Sequence, residues 1–161
     1  NEAAFKGNLE MLKYCFSNDC PCDEEKSCKL VAIKGHLDCV RFLFDTVKPS
    51  RETEKDSAMQ AARGGYVDIV KYFFEERKIS DEVKSDCMCN TAWFGNLDCL
   101  KYLVEEAKVP LNNWVYVACA RYKEHSECVH YLLEKECPEP TDEEYALFVE
   151  IEKREERETS S

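Results

Sequence analysis

The sequence predicts an all-α helical repeat solenoid, and three observations carry that prediction. A pattern of alanine, variable pair, glycine and amphipathic stretch returns five times at spacings of 28 to 30 residues. After each glycine the apolar residues fall at helical spacing, as in Leu37, Val40, Leu43 and Phe44, matched by Leu97, Leu100, Leu103 and Val104. Hydrophobic residues make up 44% of the 161 positions and charged residues 34%, with only five glycines and five prolines, which excludes disordered and collagen-like chains.

The units open at Ala4, Ala32, Ala62, Ala92 and Ala120, and their glycines are Gly7, Gly35, Gly65 and Gly95, with Glu124 standing in the fifth. Alanine allows close helix approach, and glycine suits a helix end that needs positive φ, so each unit reads as two helices joined at the glycine. The spacing predicts first helices over 27–34, 55–63, 85–94 and 113–123. Second helices follow over 36–47, 66–77, 96–108 and 125–136, with polar connectors over 19–26, 48–54, 79–83, 109–112 and 137–140. The array thus covers residues 1–138 in about four and a half repeats (1–26, 27–54, 55–84, 85–112, 113–138). An acidic capping helix and tail are expected over 139–161, opened by a Thr141/Glu144 capping box and bearing Tyr145, Phe148 and Val149.

Two stripes recur within the second helices. An acid three residues before a base, as in Glu10/Lys13, Asp38/Arg41, Asp68/Lys71 and Asp98/Lys101, predicts solvated pairs within each helix. Tyr14, Phe42, Tyr72, Tyr102 and Tyr131 predict a stacked aromatic ladder between them.

Thirty-three acidic against 22 basic residues give a net charge of -11, which opposes phosphate neutralisation and argues against nucleic-acid partners. Residues 139–161 carry nine acids and three bases, a tail that keeps the array soluble or attracts a basic partner. No apolar run approaches the roughly 18 to 20 residues that span a bilayer, so the segment is not transmembrane.

Eleven cysteines, an odd number in a chain of this size, read as reduced thiols in an intracellular, cytoplasmic compartment. Cys39, Cys99 and Cys128 share a repeat position with Ile69 and read as core. The close pairs Cys20/Cys22 and Cys87/Cys89 lack the two-residue spacing of common zinc or redox sites. His36 and His125 head second helices, and His130 takes a basic slot. No nucleophile elbow, phosphate loop or HExxH motif occurs, so no catalytic residue, no metal and no cofactor is expected.

The segments Gly35-His36-Leu37-Asp38-Cys39-Val40-Arg41-Phe42-Leu43 and Gly95-Asn96-Leu97-Asp98-Cys99-Leu100-Lys101-Tyr102-Leu103 resemble the divergent, cysteine-bearing ankyrin repeats of protists and large DNA viruses. The resemblance covers residues 1 to about 138. The Thr-Pro-Leu-His opening of the ankyrin first helix is absent, and the period is shorter than the usual ~33 residues. The resemblance implies that the variable pair of each unit faces a concave groove and carries partner contacts. These positions hold Phe5 and Lys6, Ile33 and Lys34, Arg63 and Gly64, Trp93 and Phe94, and Arg121 and Tyr122, a set rich in the residue types that anchor interfaces. The expected function is a non-catalytic protein–protein interaction scaffold that binds a protein partner through that groove. An alternative is a structural or anchoring subunit of a larger assembly, because the chain opens inside a first helix and without Met. The alternative from another class is a metal or redox module using Cys20, Cys22, Cys87 and Cys89.

Overall fold

A computed structural model describes residues 2–18 and 20–146, and no strand occurs among them. The helices are α1 (Glu2–Lys6), α2 (Leu9–Ser17), α3 (Glu24–Ile33), α4 (Leu37–Val47), α5 (Arg51–Arg63), α6 (Val67–Lys71), α7 (Asp81–Trp93), α8 (Leu97–Glu105), α9 (Asn113–Ala120) and α10 (Ser126–Glu134). Consecutive helices pair as α1/α2, α3/α4, α5/α6, α7/α8 and α9/α10. The first helices stack in one row, α1 on α3 on α5 on α7 on α9, and the second helices in another. This is an all-α repeat solenoid, in which each pair buries its apolar face against its neighbours.

The alanine positions explain the close stacking: Ala4, Ala32, Ala62 and Ala92 are completely buried. Between the rows lies a continuous core of Val31, Val40, Leu43, Phe44, Val70, Phe73, Leu100, Leu103 and Leu132. Cys39, Cys99 and Cys128 are buried in it at the level of Ile69.

The helix boundaries correct the prediction. Three first helices begin three or four residues earlier than expected, because Asp23, Ser50 and Ser80 cap them from inside the presumed connectors. Asp23 accepts from the Lys26 amide at 2.9 Å and Ser50 from the Thr53 amide at 3.2 Å; Asn112 caps α9 in the same way at 3.1 Å. Helix α9 stops at Ala120 rather than at 123, and a 3-10 turn, Lys123–His125, fills the gap. Second helices start one residue late because His36, Tyr66, Asn96 and His125 are their N-cap residues. They end early at Glu105 and Glu134, where the chain turns left-handed at Lys108 and Glu136, as it does at Lys48 and Lys78.

Helix α6 widens after Lys71 into a π turn over Tyr72–Glu76. The wider turn lets three consecutive aromatics, Tyr72, Phe73 and Phe74, all face the interior, and all three are buried.

The aromatic stripe differs from the expected ladder. The rings do not stack on their repeat equivalents. Phe42, Tyr72 and Tyr102 instead pack against the aromatic two residues further along the preceding unit, Phe16 with Phe42 edge-on at 5.8 Å, Phe44 with Tyr72 edge-on at 6.4 Å and, tilted, Phe74 with Tyr102 at 6.1 Å, whereas the preceding unit offers Tyr131 only Val104 at that place. Tyr14 lies outside this arrangement, 67% exposed. The charge stripe also differs. Glu10 and Lys13 pair within α2 at 3.1 Å, but Arg41 reaches Glu76 of the next unit at 2.6 Å and Lys71 reaches Glu106 at 3.2 Å. Lys29 with Asp56, at 2.5 Å, and Lys55 with Asp86, at 3.5 Å, tie neighbouring first helices likewise. Such side chains are long enough to cross the interface between units, so the charges join repeats more than they decorate single helices.

Residues 142–146 are helical, and Thr141 and Glu144 form the expected capping box, the Thr141 amide donating to Glu144 at 2.9 Å and the Glu144 amide to the Thr141 hydroxyl at 3.3 Å. The expected apolar residues Phe148 and Val149 lie outside the described residues.

Candidate partner-binding rim

Each variable pair lies at the last turn of a first helix and its cap. Phe5 and Lys6 end α1, Ile33 and Lys34 end and cap α3, and Arg63 and Gly64 do so for α5. Trp93 and Phe94 end and cap α7, and Arg121 caps α9 with Tyr122 after it. Because the first helices stack in register, the pairs line up along the edge where every unit turns into its second helix.

That edge is held by the glycine turns beneath it. At Gly7 φ is +66°, a conformation that side chains disfavour. The bare backbone there leaves room for the His36 ring, whose Nε2 lies 3.1 Å from the Phe5 carbonyl oxygen. Asn96 fills the same place over Gly65 and donates to the Ala62 and Arg63 carbonyls at 3.0 and 2.9 Å. His36 and Asn96 therefore seal the exposed carbonyl end of the first helix one unit back and fix the level of the variable pair above it.

The side chains of the row interlock through cation–π contacts across unit boundaries. Lys34 Nζ lies 4.3 Å from the Phe5 ring centroid, the Arg63 guanidinium 4.5 Å from Phe94, and the Arg121 guanidinium 4.5 Å from Trp93. Trp93 and Tyr122 meet edge-on at 6.3 Å. Trp93 is half-buried beneath this arrangement, whereas Phe94 keeps 39% of its surface exposed, Tyr122 40% and Phe5 52%. Ile33 is exposed beside Lys34.

At the C-terminal end of the row, Trp93, Phe94, Tyr122, Glu124 and His125 line a pocket of about 280 Å³. Glu124 and His125 were not singled out from the sequence as rim residues. Their signal lay in the repeat register, since His125 stands where His36, Tyr66 and Asn96 stand in the earlier units. The His125 ring meets Tyr122 edge-on at 5.3 Å, and its Nδ1 is buried without a hydrogen-bond partner among the described residues.

The row is electrostatically unlike the rest of the chain. Its ten positions hold four cations and no acid, on a chain where acids outnumber bases 33 to 22. Lys6 pairs with Glu2 at 2.7 Å. Lys34 and Arg63 have no carboxylate at ion-pair distance among the described residues and spend their charge on aromatic faces instead.

The cysteines are arranged differently. Among the described residues no group of three or more His, Cys, Asp or Glu side chains is placed to hold a metal ion. Of the four thiols weighed for such a site, Cys87 is buried, Cys22 is exposed, and Cys20 and Cys89 are partly covered. Burial pushes the Cys87 and Cys89 thiols above their ordinary range, which disfavours the thiolate that metal ligation and thiol exchange require. No helix among the described residues is long and apolar enough to cross a membrane.

A family model described as ankyrin repeats (3 copies) matches residues 1–85 and 58–144. No curated protein and no solved structure gives a significant match.

Proposed function

The chain belongs to the ankyrin-repeat family, and from that premise we propose that it is a non-catalytic protein-interaction scaffold whose working surface is the row of variable pairs. Ankyrin repeats generally mediate protein–protein interaction, and the family is typically non-catalytic. The observation that carries the reading for this chain is the row itself: exposed Phe5, Ile33, Phe94 and Tyr122 alternate with Lys34, Arg63 and Arg121 on a preformed edge. A rigid edge gives up little conformational freedom on binding, and large rings and Arg are the residues that dominate interface energetics. Half-exposed rings in a line also form the kind of apolar patch that marks a contact surface.

The test is crosslinking of the protein purified from its native source, followed by mass spectrometry of the joined peptides. Crosslinks from Lys6 and Lys34, with protection of Phe94 and Tyr122 from surface labelling, would support the reading. Contacts confined to the second-helix surfaces would overturn it.

A second reading is a structural subunit of a larger assembly, engaged through the outer face of α1 and α2. Met11 is 50% exposed there, whereas its counterparts Cys39, Ile69, Cys99 and Cys128 are buried against the preceding unit. Crosslinks from Asn8, Met11 and Tyr14 to another protein, with none from the row, would select this reading. With either reading goes a reducing, cytoplasmic setting, which the odd count of eleven cysteines in the sequence supports.

A further inference from the structure

Resting on the reading of the row as the working surface, we infer that its partner is an acidic peptide segment carrying one large apolar side chain. The carboxylates of that segment seat over Lys34 and Arg63, and its apolar side chain enters the pocket between Trp93, Phe94 and Tyr122.

Charge is the first argument. A chain with net charge -11 repels acidic segments everywhere except where its own cations are concentrated and unspent. On the second helices Arg41 is neutralised by Glu76 and Lys71 by Glu106 of the next unit. On the row, Lys34 and Arg63 have ring faces in place of carboxylates. A cation lying on a ring keeps its outward side open for a hydrogen-bonded anion, and a guanidinium so placed offers the fork of donors that matches a carboxylate.

Geometry is the second. The two cations sit at the ends of α3 and α5, and the pocket opens one unit further along, between the ends of α7 and α9. Its volume of about 280 Å³ and the rings of Trp93, Phe94 and Tyr122 suit one aromatic or branched aliphatic side chain, while Glu124, which lines it with His125, keeps the carboxylates of the segment away from the pocket and toward Lys34 and Arg63. An extended segment running along the edge therefore meets cations first and an aromatic pocket second. Nucleic acid, the other polyanion, would carry its charge past the whole acidic surface and is disfavoured on that ground.

The experiment uses fluorescein-labelled twelve-residue peptides in fluorescence polarisation with the full chain. One peptide has acidic residues over its first half and a Trp near the other end; a second replaces each acid by Lys; a third replaces the Trp by Ala. The acidic peptide with Trp binds, weakens as salt is raised from 0.15 to 0.5 M, and loses about tenfold in affinity with Lys34→Glu or Arg63→Glu. Phe94→Ala weakens it and leaves the salt dependence in place, whereas Lys101→Glu, on the second-helix surface, leaves binding unchanged. Circular dichroism melting of each variant separates lost contact from lost fold. Equal binding of the basic peptide, no binding of the acidic one, or binding untouched by both charge reversals would overturn the inference. The crosslinking experiment then separates the two failures: a partner held on the row through a non-acidic segment leaves the scaffold reading standing, and a row without contacts removes both.

Discussion

At Gly35 the backbone sits at φ +77°, and an added Cβ would lie 2.5 Å from the ring of Tyr66. Two penalties coincide there, the left-handed backbone that an L side chain resists and a ring that the new Cβ would push out of place. Gly35→Ala should lower the free energy of unfolding by about 1–3 kcal/mol, read as a lower urea midpoint at unchanged slope. This residue was legible in the sequence because glycine followed by an amphipathic stretch leaves one mechanical explanation. Tyr14 was not legible, since its sequence context equals that of Tyr72 and Tyr102 while its 67% exposure depends on which unit lies beside it. The thiols divide along the same line of burial. Desolvation pushes Cys28 and Cys119 up to about 12, with nearby carboxylates adding to the first and Cys128 to the second. Alkylation at pH 8 should therefore label exposed Cys22 first and leave Cys28 and Cys119 unmodified until the chain unfolds, a sequence of events that peptide mass spectrometry resolves.

Among the elements, α5 illustrates why helix starts were harder to read than helix existence. Its periodic face begins near residue 55, yet the helix begins at Arg51 because Ser50 caps it. Serine in a polar connector looks like any loop residue until its oxygen is placed on the Thr53 amide. Glu25 of the preceding unit then accepts from the Ser50 amide at 2.9 Å and from its hydroxyl at 3.1 Å, joining two first helices at one cap. Ser50→Ala should cost about 1 kcal/mol from the cap alone. The Thr53 hydroxyl and then the Ser50 amide hold the Glu25 carboxyl below its ordinary value of 4.5. A carboxylate with a depressed folded pKa contributes stability that is complete above its unfolded pKa and vanishes as pH falls through the folded one. The junction should therefore weaken from about pH 5 downward, and Glu25→Gln should flatten that part of the acid unfolding curve; identical pH profiles for the two proteins would refute the assignment. The variable pairs were legible as positions from the repeat register. Their pairing of cation with ring across units was not, because it depends on how far one unit is set from the next.

For the whole molecule, stability follows from neighbours, since in a solenoid each pair of helices draws on its own packing and on the interfaces to either side. The pairs α3/α4, α5/α6 and α7/α8 have both interfaces, reinforced by Arg41 with Glu76, Lys71 with Glu106 and Lys55 with Asp86. Arg77 adds a further junction, its Nε donating to Glu54 at 2.9 Å while Asp45 lies 3.9 Å from the same guanidinium. The pair α1/α2 has one interface among the described residues, and leaves Met11 and Tyr14 in solvent at positions that are core or nearly so in every later unit. The recurring acid-before-base spacing, the alanine register and the glycine turns establish an array, but this gradient along it comes from which interfaces exist. Hydrogen exchange of the isolated chain should thus be fastest in α2, slowest in α5, α7 and the buried parts of α8, with opening free energies in the middle approaching the global value. Met11→Asp and Tyr14→Asp should leave the urea midpoint within about 0.5 kcal/mol of the parent, as surface changes do, whereas the equivalent Ile69→Asp should abolish folding of the middle of the array. Slow exchange in α2 at high protein concentration, lost on dilution, would instead mean that a second copy covers the α1/α2 face, and the Met11 and Tyr14 variants would then abolish the protection without altering that of α5 and α7.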